Sequence, residues 1–157
     1  MLLHPESSPG TSVSRERSHE LEVLHRRKSH PERSAGARPA TIDAADRFLS
    51  SARRTCETGE YELALLAAYN SAFHCARALL FANGYTERSH ACVILVLRHL
   101  FRDDSRFLQF LATLDKMRIS RHNVQYGVSR VTRGEAEFSI RFAGDFLQFV
   151  RERATPS

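Results

Sequence analysis

The chain has 157 residues, 42% hydrophobic and 26% charged, with ten Phe and no Trp, which is one domain's worth of globular sequence. No apolar run approaches the ~18 residues of a membrane span, and Met1-Leu2-Leu3 leads into polar sequence, so no membrane association and a cytoplasmic location are expected. The net charge is +5, and of 23 basic residues only Lys28 and Lys116 are lysine; arginine forks onto phosphate and stacks on flat rings, which keeps nucleic acid among the expected partners.

Proline and phenylalanine divide the chain. Pro5, Pro9, Pro31 and Pro39 fall in the first 40 residues, whereas every Phe falls after residue 41. A segment of Pro, Ser and Arg without aromatics buries too little apolar surface to offset its ordering entropy. Residues 1–40 are therefore expected to be a disordered leader, or the product of a start codon placed too early. Within them only 18–28 has the pattern of a short amphipathic helix.

Residues 41–155 carry the fold. Thr41 and Asp43 open a first helix over 41–57, with Ala45, Phe48, Leu49, Ala52 and Cys56 stepping by three and four. After Gly59, a second helix over 61–83 carries the stripe Leu65, Tyr69, Phe73, Ala76 and Leu80. A third, about 88–101, is apolar on several sides and so largely buried. The fourth starts at Asp103-Asp104-Ser105, acidic residues suited to a helix N-terminus, and continues to about Tyr126. The fifth opens at Thr132, where Glu135 three residues on completes a capping box. It runs to about Arg153 with Phe138, Phe142, Phe146 and Phe149 as its spine. No stretch alternates with period two. The pattern predicts an all-α fold, an up-and-down antiparallel bundle of about five helices.

The fourth helix holds an anomaly. Its core stripe Phe107, Phe110, Leu111, Leu114 and Met117 continues at helical spacing into Arg118, Arg121 and Gln125. A guanidinium aimed at a bundle interior has to be paired or wet, because an unpaired buried charge is costly. One reading is a helix end whose arginines snorkel outward or bridge to a neighbour such as Glu137 or Asp145. The other is a polar cleft in which Arg118, Arg121, His122, Asn123 and Tyr126 converge on an anion; Arg supplies a fork of donors, and His and Tyr can move protons.

Other chemistries have little support. Cys56, Cys75 and Cys92 form no CxxC pair, and no Cys or carboxylate stands at metal-ligand spacing near a His, so neither a metal nor another cofactor is expected. There is no GxxxxGK or GxGxxG phosphate loop. His74 and His99 read as hydrogen-bonded core or edge histidines. His90, after the Thr86-Glu87-Arg88-Ser89 loop, reads as a capping or interhelix residue. Beside Tyr69 in the middle of the second helix, Asn70 is a polar residue in an Ala-rich, otherwise apolar stripe and wants a partner, with the Arg118/Arg121 cluster or a second copy as candidates.

The succession of GEYELALLAAYNSAFHCARALLFANGYTERSHACVILVLRHLF, RHNVQYG and VTRGEAEFSIRFAGDFLQFV resembles a HEPN domain over about 43–154. It is similar to the small stand-alone type found beside minimal nucleotidyltransferases. That resemblance implies a toxin–antitoxin or nucleotidyltransferase-associated role, with binding of RNA or nucleotide phosphate and metal-independent ribonuclease activity. The family's signature is an Arg followed by a polar residue, then a His further along the helix. Arg121 and His122 match the first half; Tyr126 stands at the His position, as in the Arg-x-x-Ala-Asp-Tyr subgroup. Tyrosine titrates near ~10 against ~6.5 for His, so Tyr126 is a poor general base at neutral pH but still a donor. His122, about 100° round the helix from Arg121, is no simple substitute. The resemblance marks Arg121, His122 and Tyr126 as catalytic candidates and Arg118, Arg121 and Asn123 as phosphate-binding ones. It also implies a site shared across a homodimer, and Tyr126 as an acceptor of AMP from the partner transferase. Phe142 and Phe149, near the edge of the fifth helix's apolar stripe, leave room for such an interface; the other reading is that the ten Phe fill a Trp-free core. The alternative is a non-catalytic helical adaptor that dimerises and binds that nucleotidyltransferase.

Overall fold

The computed structural model describes residues 31–87 and 89–154. Five helices follow in order: α1 (Pro31–Glu57), α2 (Tyr61–Ala82), α3 (His90–Leu100), α4 (Ser105–Gln125) and α5 (Arg133–Ala154). The all-α bundle expected from the sequence is observed, and four of the helices lie within about two residues of their expected bounds.

The exception is the start of α1. It begins at Pro31, not Thr41, and carries Pro39 inside it. Thr41, expected near a helix start, is buried within α1. Residues 31–40, expected as part of the leader, form its first turns; the expectation for 1–30, including the 18–28 helix, lies outside the described residues.

Helix α2 is the centre of the bundle and packs against each of the other four. Small residues let α1 approach it closely: Ala45 and Ala52 share one core cluster with Ala68, Ala72 and Ala76, all fully buried. The enclosed Ser71 Oγ donates to the Ala45 carbonyl at 2.7 Å, so the polar atom in this contact is satisfied. By length and hydropathy α2 is the one helix among the described residues able to cross a membrane, yet 72% of its most apolar window is buried inside the bundle. That is the signature of a core helix.

Capping explains where the helices stop and start. Asp104 accepts from Phe107 N–H at 2.9 Å to open α4. Thr132 and Glu135 form the reciprocal capping box of α5, with Thr132 N–H to Glu135 Oε2 at 2.7 Å and Glu135 N–H to Thr132 Oγ1 at 3.2 Å. Helix α2 ends in a Schellman motif: Gly84 takes φ +81°, and Tyr85 N–H donates back to the Leu80 carbonyl at 3.2 Å. Helix α4 ends the same way, with Gly127 at φ +69° and Val128 N–H donating to the Asn123 carbonyl at 2.8 Å. Tyr126 is therefore the C-cap residue of α4.

The aromatic half of the core lies between α4 and α5. Phe107 stacks on Phe149 at 5.8 Å, and Phe110 on Phe146 at 5.0 Å. Phe142 and Phe149 are buried in this core, as the core-filling reading of the phenylalanines has it, whereas Phe138, expected in the spine with them, is 52% exposed.

Candidate phosphate-binding site

Three helices build one polar cluster where the α4 seam changes character. Leu114 and Met117 are buried, and the next residues on that side, Arg118 and Arg121, are half-buried. Opposite them on α2, Tyr69 is completely buried. The Arg121 guanidinium carbon lies 5.3 Å from the centroid of the Tyr69 ring, a cation–π geometry. From α3, His90 Nδ1 stands 2.7 Å from the Tyr69 hydroxyl, and its ring stacks on Phe73 at 3.7 Å between centroids. Ser89, one residue earlier, caps α3 by accepting from Cys92 N–H at 3.2 Å, which fixes where His90 enters. The cap belongs to Ser89; His90 makes the interhelix contact.

The protonation states follow from these contacts. Burial raises the Tyr69 phenol to about 12, with Arg121 and Arg118 pulling the other way and Asp115 adding to the rise. Burial also lowers His90, and Arg121 lowers it further, against Glu87; Arg77 and Arg118 act in the same direction as Arg121. A protonated phenol and a neutral imidazole share one hydrogen bond. Tyr69 is fully enclosed and has His90 as its one hydrogen-bond partner among the described residues. The phenol therefore donates, Nδ1 accepts, and the imidazole proton resides on Nε2.

Around this pair the charges are unequal. Arg118 Nε reaches Asp115 Oδ1 at 3.0 Å, and Arg98 reaches the same carboxylate at 3.6 Å. On the other side Arg77 grips Glu87 at 2.8 and 2.5 Å and touches His74 Nδ1 at 3.2 Å. His74 stacks on Phe48 and is lowered by burial first and by Arg77 next. Four guanidinium groups (Arg77, Arg98, Arg118, Arg121) against two carboxylates (Asp115, Glu87) leave a local charge of +2. Arg121 has no carboxylate partner among the described residues: Glu137 is taken by Arg133 at 2.8 Å, and Asp145 borders grooves on α5. No enclosed side-chain nitrogen or oxygen among these residues lacks a hydrogen-bond partner. The unpartnered Arg121 nitrogens are therefore open to solvent, and so to an anion.

The five residues predicted to converge divide into two pairs, with Asn123 apart from both. Arg118 and Arg121 face Asp115 and Tyr69. His122 and Tyr126 are exposed and pack on each other, ring centroids 4.5 Å apart. At ~100° per residue, Tyr126 lies about 140° round from Arg121 and Asn123 about 160°. Asn123 is half-buried, and its carbonyl closes the C-terminal turn. Asn70 is half-buried, and no hydrogen bond joins it to the Arg118/Arg121 cluster.

Grooves lie elsewhere, one of about 770 Å³ between α1 and α5 lined by Asp46, Arg53 and Asp145, and two beside α4. One of about 390 Å³ between α4 and α5 is floored by Phe110 and Phe142, and a neighbour of about 560 Å³ is lined by Leu65, Met117, Val124 and Val131. Thr113 and Phe138 border both, and neither is lined by Tyr69, His90 or Arg121.

A family model described as "HEPN domain" matches residues 40–153, from within α1 to the last turn of α5. No curated protein matches the chain.

Proposed function

The chain belongs to the HEPN domain family, and we propose that it binds RNA or nucleotide phosphate at the Arg121 cluster, as part of a toxin–antitoxin or nucleotidyltransferase-associated system. The observation that carries this reading is the state of Arg121. Its guanidinium is held over Tyr69 in a region of net positive charge, is half-buried, and has no carboxylate of its own. A cation placed in that way without a partner is satisfied by an anion from outside, and a phosphate accepts the two parallel hydrogen bonds that a guanidinium offers. Arg118, already engaged by Asp115, adds charge one turn earlier.

Cleavage is a further step of the same reading. Arg121 would neutralise the charge that builds on the phosphorus oxygens as a ribose 2′-hydroxyl attacks and the 5′-oxygen departs. The proton transfers would fall to His122 and Tyr126, which are exposed on α4 about 100° and 140° round from Arg121. A homodimer that lays two α4 helices along one cleft would supply this second face beside Arg121. The test is a labelled single-stranded RNA incubated with wild-type protein and with Arg121→Ala, in the presence of a metal chelator. Binding, and any cleavage, should be lost in the variant. Equal binding by the two proteins would sink the proposal.

A second reading has its own observation. Tyr126 is 70% exposed at the end of α4, and Phe138 leaves an apolar ring in the α4–α5 groove. A helical adaptor would use such a groove to bind a partner nucleotidyltransferase, and the Tyr126 hydroxyl would accept AMP from it. Incubation with that transferase and ATP should then add the mass of one AMP, and Tyr126→Phe should abolish the addition.

A further inference from the structure

We infer that His90 is a second phosphate donor of the Arg121 site, its Nδ1 occupied by the buried Tyr69 hydroxyl so that Nε2–H is the group presented to the ligand. The inference rests on the reading of Arg121 as a phosphate ligand and adds to it a residue from another helix.

Three contacts fix the imidazole. The 2.7 Å hydrogen bond to Tyr69 sets its tautomer, and the stack on Phe73 at 3.7 Å sets its plane. The Ser89 cap sets the start of the helix that carries it. Tyr69 in turn is held under Arg121. One buried phenol thus bears on both polar groups: its ring face supports the guanidinium and its hydroxyl orients the histidine. Nε2, on the opposite edge of the imidazole from Nδ1, has no hydrogen-bond partner among the described residues and is not enclosed, so it is available to a ligand.

The surroundings decide what this donor can recognise. Arg121 and Arg118 from α4, Arg77 from α2 and Glu87 from the α2–α3 loop all act on His90, and the cations outnumber the carboxylate. A positively charged imidazole would be opposed there, whereas a neutral N–H beside Arg121 suits an anionic oxygen. The pair resembles in chemistry a guanidinium fork and a single neutral donor on two oxygens of one phosphate. The neutral donor makes binding insensitive to His90 protonation over the neutral range, in contrast to a site built on an imidazolium.

The experiment uses a labelled single-stranded RNA followed by fluorescence anisotropy, and inorganic phosphate followed by the imidazole nitrogen resonances of the full chain. In the free protein Nδ1 should be unprotonated and Nε2 protonated, and phosphate should shift Nε2–H. Arg121→Ala should weaken RNA binding about 10- to 100-fold, as loss of hydrogen bonds from a charged group implies. His90→Ala should weaken it about five- to tenfold, one neutral hydrogen bond's worth. His90→Gln, whose amide N–H stands near the Nε2 position, should remain within about twofold of wild type. Tyr69→Phe keeps the ring under Arg121 and should reproduce the His90→Ala loss only in part, with a mixture of imidazole tautomers. Normal RNA affinity in His90→Ala, together with loss in Arg121→Ala, would overturn the role of His90 and leave the Arg121 reading standing. Normal affinity in Arg121→Ala would overturn both. A proton on Nδ1 in the free protein would overturn the inference whatever the RNA result.

Discussion

Arg121 and Tyr69 meet as a cation over a ring, 5.3 Å from guanidinium carbon to centroid, across the packing of α4 on α2. The contact resolves the anomaly of helix α4. A guanidinium on the core-facing stripe is tolerated because an aromatic face, not a carboxylate, lies under it. The charge is therefore supported without being neutralised.

That distinction predicts the behaviour of Arg121→Lys. Lysine keeps the charge and reaches the ring, but it is a compact point donor and lacks the planar fork. Stability should change by less than about 1 kcal/mol, the scale of an exposed cation–π contact. RNA affinity should fall about tenfold, because one of two parallel hydrogen bonds is lost. Thermal unfolding and anisotropy on the same sample measure the two effects separately. Full RNA affinity in Arg121→Lys would mean that charge alone is read.

Tyr69→Phe isolates the hydroxyl. The variant keeps the ring and removes a buried O–H, leaving His90 Nδ1 without its partner at 2.7 Å. A destabilisation of about 1–2 kcal/mol is expected. Tyr69→Ala removes a completely buried ring at the centre of α2 and should cost about 3–5 kcal/mol. Chemical denaturation distinguishes the two; equal losses would show that the hydroxyl, not the ring, carries the site's stability.

How far the sequence foretold this arrangement depends on the range of the signal. Local signals held: the Asp104 cap, the Thr132–Glu135 box and the glycine stops were legible because each involves neighbours in the chain. Pro39 misled, since a proline looks like a boundary although α1 runs through it from Pro31. Phe138 misled for a geometric reason. Each four-residue step in the series 138, 142, 146 advances about 400°, one full turn plus about 40° of drift. Two steps back from the buried Phe146, Phe138 has rotated about 80° and out of the core. The candidate site was legible only in part. Arg118 and Arg121 break the apolar period of one helix, so their anomaly can be seen within α4 alone. The pairing of Tyr69 with His90 joins two helices across a loop, and no spacing rule reports how α3 is turned against α2. The need for a partner is read from Asn70, whereas its neighbour Tyr69 is the residue that meets Arg121 and His90.

Asp104 joins a cap to a long-range ion pair. Its Oδ1 accepts from Phe107 N–H at 2.9 Å, and its Oδ2 meets Arg153 Nη2 at 2.6 Å, tying the start of α4 to the end of α5. Asp104→Asn keeps a capping oxygen and should cost less than about 0.5 kcal/mol, since exposed ion pairs contribute little. Asp104→Ala loses the cap as well and should cost about 1 kcal/mol. Thermal unfolding of the two variants separates them, and an equal loss would assign the effect to the ion pair.

Acidification should destabilise the fold first through histidine. Burial lowers both His74 and His90 below their ordinary value of 6.5. The unfolded chain therefore binds more protons than the folded chain as the pH drops through that value, and stability rises with pH across the same range. The contribution of the neutral histidines is fully present above 6.5 and is lost as pH falls below it towards the depressed folded values. Asp104 and Glu135 are also lowered, by backbone hydrogen bonds to Phe107 and Thr132 first, but their contributions are lost only below the ordinary carboxylate values of 3.8 and 4.5. The histidine window therefore opens at higher pH than the carboxylate one. The melting temperature should fall between about pH 7 and about pH 5, where histidine alone changes charge on an ordinary scale. A His74→Gln/His90→Gln variant should show a flatter profile over that interval and the same collapse below it. A wild-type melting temperature that stays constant down to about pH 5 would show that neither imidazole is held neutral by the bundle.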